Sequence, residues 1–208
     1  MSPRLFLLSP ASLNGLRAKQ LTSARAKFDL ALRYRSAEGV AIADAFAFMS
    51  ALYFRGKIAY ARRFAVPAPA IGGDGIFVIT PGFGLVPPDW RLDEERLKRM
   101  RKIDIDITTR SYTKPLREHA TLIARALDGS DCEVVLLGSI ATGKYVDVLL
   151  PILGPRLRFP RHFAGLGDMA RGGLMLRAAR AGIELDYVTL DGNRKRPPGA
   201  TGKMPSLG

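Results

Sequence analysis

The feature that most constrains this chain is an alternation of short apolar runs with longer segments of helical spacing. Residues 5–8 stop at Ser9-Pro10 and read as a buried first strand. Residues 76–80 follow turn chemistry at Gly72-Gly73-Asp74-Gly75, are β-branched, and are too short for a helix, so they read as a central strand. Further strands are expected at 133–137, 156–159 and 185–190. Helices are expected over 13–35 with one break, over 40–64 with Gly56 as an interruption, and at 92–102, 116–127, 144–153 and 171–181. An irregular loop is expected after Pro81. Ile103, Ile105 and Ile107 alternate with Asp104 and Asp106, the period of a half-exposed edge strand, whose aspartates are either paired carboxylates or solvated. The whole pattern predicts an α/β fold, a mainly parallel mixed sheet with helices on both faces in a single domain over 1–190. Residues 191–208 are rich in Gly, Pro, Lys and Arg and read as a flexible basic tail. Ligands of such sheets bind beyond the carboxyl ends of the strands, so the loops there become the candidates for chemistry.

Composition narrows the function. With 208 residues, 47% of them hydrophobic and 25% charged, a sizeable core is available and wholesale disorder is excluded. No run approaches the roughly 18 apolar residues of a membrane span, and the apolar start is too short for a signal-peptide core. A single cysteine, Cys132, permits no internal disulfide and fits a reducing compartment. A cytoplasmic protein with no membrane partner is expected. Lysine and arginine number 32 against 19 acidic residues, a formal charge of +13 spread along the whole chain. Such a field attracts a polyanion, with DNA as the expected partner, unless the cationic surface serves only solubility.

Five segments stand out. Ser9 to Gly15 places hydroxyls and Asn14 at a helix entrance, either as a helix cap or as an anion cradle that includes Ser9 and Asn14. Thr80 to Pro88 combines Gly82 and Gly84, which admit close approach, with Phe83 to stack on a base and Thr80 to donate to it. The alternative is a tight turn with Phe83 in the core. Gly138 to Tyr145 offers Ser139, Thr142 and Lys144 to a phosphate, but Tyr145 stands where an ATPase phosphate loop requires Ser or Thr. Phe163 to Gly173 holds Asp168 among glycines, three residues before Arg171. Asp168 is read either as a helix cap or as a catalytic carboxylate beside a phosphate-holding Arg171. Arg55 and Lys57 flank Gly56 as candidate phosphate contacts, and Lys57, Tyr60 and Phe64 share a helical face. His119 and His162 have no second histidine or cysteine at ligand spacing, so no metal is expected.

The opening Leu5-Phe6-Leu7-Leu8-Ser9-Pro10-Ala11 resembles the YaaA family of peroxide-stress proteins, which begin with a hydrophobic strand and an SPAK-type loop. Residues 81–88 resemble that family's glycine-containing loop, and the strand leading to Lys144-Tyr145 resembles its strand before a small-residue loop. Ser12 stands where the family usually has Lys, and the loop from Gly165 to Gly173 has no counterpart in it. The chain is thus similar to a distant bacterial branch carrying GLYFRGK-like and GDMSRGG-like segments. The resemblance implies DNA binding and limitation of oxidative DNA damage.

Together these readings give three expectations. The first is an enzyme acting on a nucleobase of DNA, most simply an N-glycosidase without a cofactor, with Asp168 as its catalytic carboxylate. Thr80, Gly82, Phe83 and Gly84 would receive the base, and Arg55, Lys57, Ser139, Thr142, Lys144 and Arg171 would grip the backbone. The second is a DNA-binding protein without turnover, and the third an enzyme acting on a nucleotide or other phosphorylated small molecule.

Overall fold

The computed structural model describes residues 2–50 and 52–190. In chain order its elements are β1 (Arg4–Leu8), α1 (Leu16–Thr22), α2 (Asp29–Tyr34), β2 (Val40–Ala41), α3 (Ile42–Ser50), α4 (Leu52–Phe64), β3 (Ile76–Thr80), β4 (Gly84–Val86), β5 (Arg91–Leu92), α5 (Glu94–Arg101), α6 (Arg110–Ala126), β6 (Glu133–Leu137), α7 (Val146–Leu153), β7 (Leu157–Pro160), α8 (Asp168–Ala181) and β8 (Tyr187–Thr189). Six strands form one sheet in the order β4-β3-β1-β6-β7-β8, while β2 and β5 pair by themselves.

The apolar run that opens the chain becomes the centre of the sheet. Leu5, Phe6, Leu7 and Leu8 are fully buried, as a strand covered on both faces must be, and each contributes roughly 1.5–3 kcal/mol by leaving water. β1 runs parallel to β3 on one side (Phe6 opposite Ile76) and to β6 on the other (Leu8 opposite Leu137). β7 continues the parallel core, and the outer strands β4 and β8 are antiparallel. α4 packs on β1, with α3 and α8 against it, while α6 lies over β3 and β4 and meets α7, which packs on β7. Edge-to-face contact between Phe6 and Tyr60 at 5.7 Å fastens α4 to the sheet. The chain is therefore an α/β domain with a mainly parallel mixed sheet.

The order β3-β1-β6 decides where a site forms. From β1 the chain first builds outward through β3 and β4, then returns to the other flank with β6. The carboxyl ends of β1 and β6 are therefore the switch point of the sheet, where ligands of such folds bind.

Several local expectations are corrected. Gly56 lies inside α4 and does not interrupt it, because its missing side chain is required by a neighbouring helix. Residues 103–107 are not a strand: alternation reports exposure, but no partner pairs with them, and the Asp106 carboxylate instead closes a turn with the amide and hydroxyl of Thr108. The loop expected after Pro81 contains β4, which folds back on β3 through Gly82 and Gly84, both at positive φ. α8 begins at Asp168, three residues ahead of its expected start. The tail expected over 191–208 lies outside the described residues. No helix among the described residues is long and apolar enough to cross a membrane.

Candidate active site

Burying a polar group costs free energy unless it is paired, so buried polar side chains point to built structure. Among the described residues the buried polar or charged ones are Ser9, Lys57, Thr80, Thr113 and Arg171. Thr80 and Thr113 donate to the nearby carbonyls of Gly84 and Thr109 and serve local turns. The other three converge beyond the carboxyl ends of β1 and β6.

Lys57 is its centre. Only 1% of it is exposed. Its Nζ donates to the Ser9 carbonyl at 3.0 Å, lies 2.7 Å from Ser9 Oγ, and stands 3.7 Å from the centre of the Tyr53 ring. Burial brings the amine down to about 7; Asp168 opposes that change, and the charges of Arg171 and Lys144 add to it. An amine in this range exchanges its proton near neutrality.

Four elements shape the surroundings. Ser9 follows β1, and its amide donates to Leu137 at the end of β6. Gly138 makes this approach possible, since a Cβ there would lie 2.9 Å from that of Ser9. Tyr145 is buried at the head of α7, where burial holds its phenol protonated while the Ser9 hydroxyl favours the ionised form. The loop before it is tied down by Tyr112, whose hydroxyl donates to the Lys144 carbonyl at 2.9 Å. From α8, the Arg171 Nε donates to the Phe163 carbonyl at 3.1 Å, and its Nη1 lies 3.8 Å from the Asp168 carboxylate. Tyr53 completes the cluster: its hydroxyl is buried without a hydrogen-bond partner, although Arg171 lies close enough to favour its ionised form. Burial raises Tyr53 to about 12. The Tyr53 phenol thus joins the Lys57 amine and the Arg171 guanidinium in one buried polar cluster.

The sequence candidates separate into two groups. Ser9, Lys57, Lys144, Asp168 and Arg171 gather here. Asp168 sits at the rim with 68% of its side chain exposed, while Lys144 is half-buried beside Tyr145. Ser139 is half-buried on the same loop, where its Oγ faces the Ala141 amide, and Thr142 is exposed. Arg55 is exposed, two positions and about 200° of helix from Lys57, so it does not join the cluster.

Residues 80–84, expected to receive a base, lie apart from this cluster in a hairpin with packing contacts of its own. Thr80 bonds within the turn, Gly82 faces Ile103, Gly84 faces Pro115 and His119, and the half-buried Phe83 meets the Trp90 ring at a tilt with the Arg99 guanidinium over its own ring. Neither helix entrance is capped as expected: Gly15 and Gly167 are the cap residues, without side-chain bonds, and Asn14 is exposed.

Sequence reasoning did not single out Tyr53, Gly138 or Tyr145 as site residues, and it read Lys57 as a candidate phosphate contact without foreseeing its burial. A signal was present in the spacing. Tyr53, Lys57, Tyr60 and Phe64 recur on one helical face, so the lysine interrupts an aromatic stripe. Among the described residues no group of three His, Cys, Asp or Glu side chains is placed to hold a metal ion. Comparison with protein-family models, curated proteins and solved structures gives no match to this chain.

Proposed function

We propose that this protein is a cytoplasmic DNA-binding enzyme that releases a base from its deoxyribose by N-glycosidic hydrolysis. One observation carries the reading: at the switch point of the sheet, a buried lysine with an exchangeable proton is enclosed by Ser9, Tyr53, Tyr145 and Arg171, with Asp168 at the rim. Breaking the bond between C1′ and the base nitrogen sends the electron pair to the base and leaves positive charge on the sugar. Lys57, protonated at the start, donates its proton to the departing base, and Arg171 supports the negative charge that develops there. Asp168, outside the buried cations, faces the sugar, orients the water that adds to C1′ and accepts the proton that this water releases. Lys144 and Ser139 on the loop after β6 hold flanking phosphate. The reaction consumes water and calls for no cofactor. The net charge of +13 and the resemblance of residues 5–15 to the YaaA family favour DNA as the carrier of the base.

The test is incubation with duplex and single-stranded DNA bearing a panel of damaged or modified bases, scored for abasic sites, with Lys57→Met as the control. Base release that disappears in the variant is the expected outcome. Release from no substrate, with tight binding retained, overturns the reading. The near-complete enclosure of Lys57 favours the second reading in that case: a DNA-binding protein in which the lysine ties the end of β1 to α4. Binding of a free nucleotide with no affinity for DNA would instead indicate a small-molecule enzyme.

A further inference from the structure

The proton transfer just described leaves Lys57 as a neutral amine at the position where the new sugar end forms. We propose that Lys57 then condenses with the aldehyde of the ring-opened abasic deoxyribose, forming a covalent imine between protein and DNA. This inference rests on the glycosidase reading and names the second step of the same site.

The geometry carries it. Lys57 Nζ donates one hydrogen to the Ser9 carbonyl, and its 2.7 Å contact with Ser9 Oγ gives the amine a hydroxyl through which protons pass. The nitrogen lone pair attacks C1′, the carbonyl π pair moves to oxygen, and a proton relayed from nitrogen through Ser9 neutralises that oxygen. Loss of the same oxygen as water, with nitrogen supplying the second bond to carbon, completes the imine. Overall the amine gives up two hydrogens, the aldehyde gives up its oxygen, and one water leaves. The Tyr53 ring packs against Lys57 Nζ, 3.7 Å from the ring centre, and in this step its buried hydroxyl donates to the departing oxygen. The charges facing Lys57 are Lys144 from the loop after β6 and Asp168 and Arg171 from α8. Burial, the largest influence, keeps the amine in its nucleophilic form near neutrality. Lys57 is 1% exposed, so the step requires a neighbouring segment to move aside, and that movement is assigned to the exposed residues 165 and 167–170 before and at the head of α8.

The experiment supplies the full-length protein with duplex DNA holding a ready-made abasic site, which bypasses base release, and adds borohydride. Hydride delivered to the imine carbon converts it to a stable secondary amine. The expected result is a protein–DNA adduct on a denaturing gel whose tryptic map places the sugar remnant on Lys57, and loss of that adduct in Lys57→Arg. Mapping on the unaltered protein removes dependence on the folding of the variant. No adduct, or adducts only on exposed lysines such as Lys19 and Lys27, overturns the inference. The two readings fail separately: base release without trapping at Lys57 defeats this inference alone, and trapping without base release from any substrate defeats the glycosidase reading.

Discussion

Gly56 of α4 and Gly172 of α8 meet backbone to backbone. A Cβ on Gly56 would lie 2.5 Å from the Gly172 carbonyl oxygen, and one on Gly172 would lie 2.8 Å from the Tyr53 Cα. Neither distance is compatible with a side chain, so the two helices cross at direct contact. Lys57 and Arg171 each adjoin one of these glycines in the chain, and the crossing therefore sets the spacing of the two buried cations.

Alanine at either position has only backbone to displace. Overpacking of this kind costs about 1–3 kcal/mol. Gly56→Ala and Gly172→Ala are each expected to lower the urea midpoint with little change in m-value, and to weaken the site by parting α4 from α8. An unchanged midpoint would show that the contact is not needed for packing.

Lys57 makes a further stability prediction. Its folded-state value is lowered to about 7 from 10.5. Between those values the unfolded chain binds a proton that the folded chain refuses. Stability therefore falls as pH drops through the window from 10.5 to 7, and this contribution levels off below it. The full penalty is on the order of 4–5 kcal/mol. In denaturant titrations, Lys57→Met is expected to gain on the natural protein steadily from about pH 9.5 to about pH 7. Parallel stability curves for the two proteins over that range would contradict a neutral buried amine.

The sheet was readable because its central strands carry local signals. Residues 76–80 and 133–137 are short, β-branched and bounded by turn residues, and the structure starts and ends them at those positions. What failed depends on contacts made by distant parts of the chain. β4 exists because glycines 82 and 84 turn the backbone onto β3, and residues 103–107 lack a strand because they pair with no other segment. Gly56 has a low helix propensity, yet tertiary packing overrides it, since only glycine fits against Gly172. The site was half-legible for the same reason. Asp168 and Arg171 announce themselves in a glycine-rich segment, whereas the burial of Lys57 depends on Ser9, 48 positions earlier in the chain.

Asp168 offers a test of the electrostatics. Its carboxylate favours the charged form of Lys57, so Asp168→Asn is expected to lower the lysine's value further. Base release requires a protonated Lys57, and the rate is lost as pH rises through that value. The basic limb of the pH–rate profile should accordingly move to lower pH in the variant. Loss of the charge facing the sugar should also slow release by about 10²-fold, by analogy with removal of one electrostatic stabiliser. DNA affinity should stay within a few-fold. A variant with the natural rate and profile would remove Asp168 from the mechanism.

The last prediction separates DNA from a small phosphorylated ligand. A protein that neutralises six to ten backbone phosphates releases their counterions, and its affinity falls by about 10³–10⁵ between 50 and 200 mM salt. A single phosphate on a metabolite, held by Lys144 and the loop after β6, releases few. Fluorescence anisotropy with a labelled duplex across that salt range is expected to show the steep fall. Replacing the half-buried Lys144 with Ala should make the slope shallower by about one unit if this residue contacts a phosphate. Arg55→Ala addresses the cationic surface away from the site. Arg55 is exposed and stands about 200° around α4 from Lys57, so it is expected to leave base release by bound enzyme unchanged even where it weakens binding. A flat salt dependence, with affinity retained for a free nucleotide, would place the surface charge outside the function and leave the cluster around Lys57 as a small-molecule site.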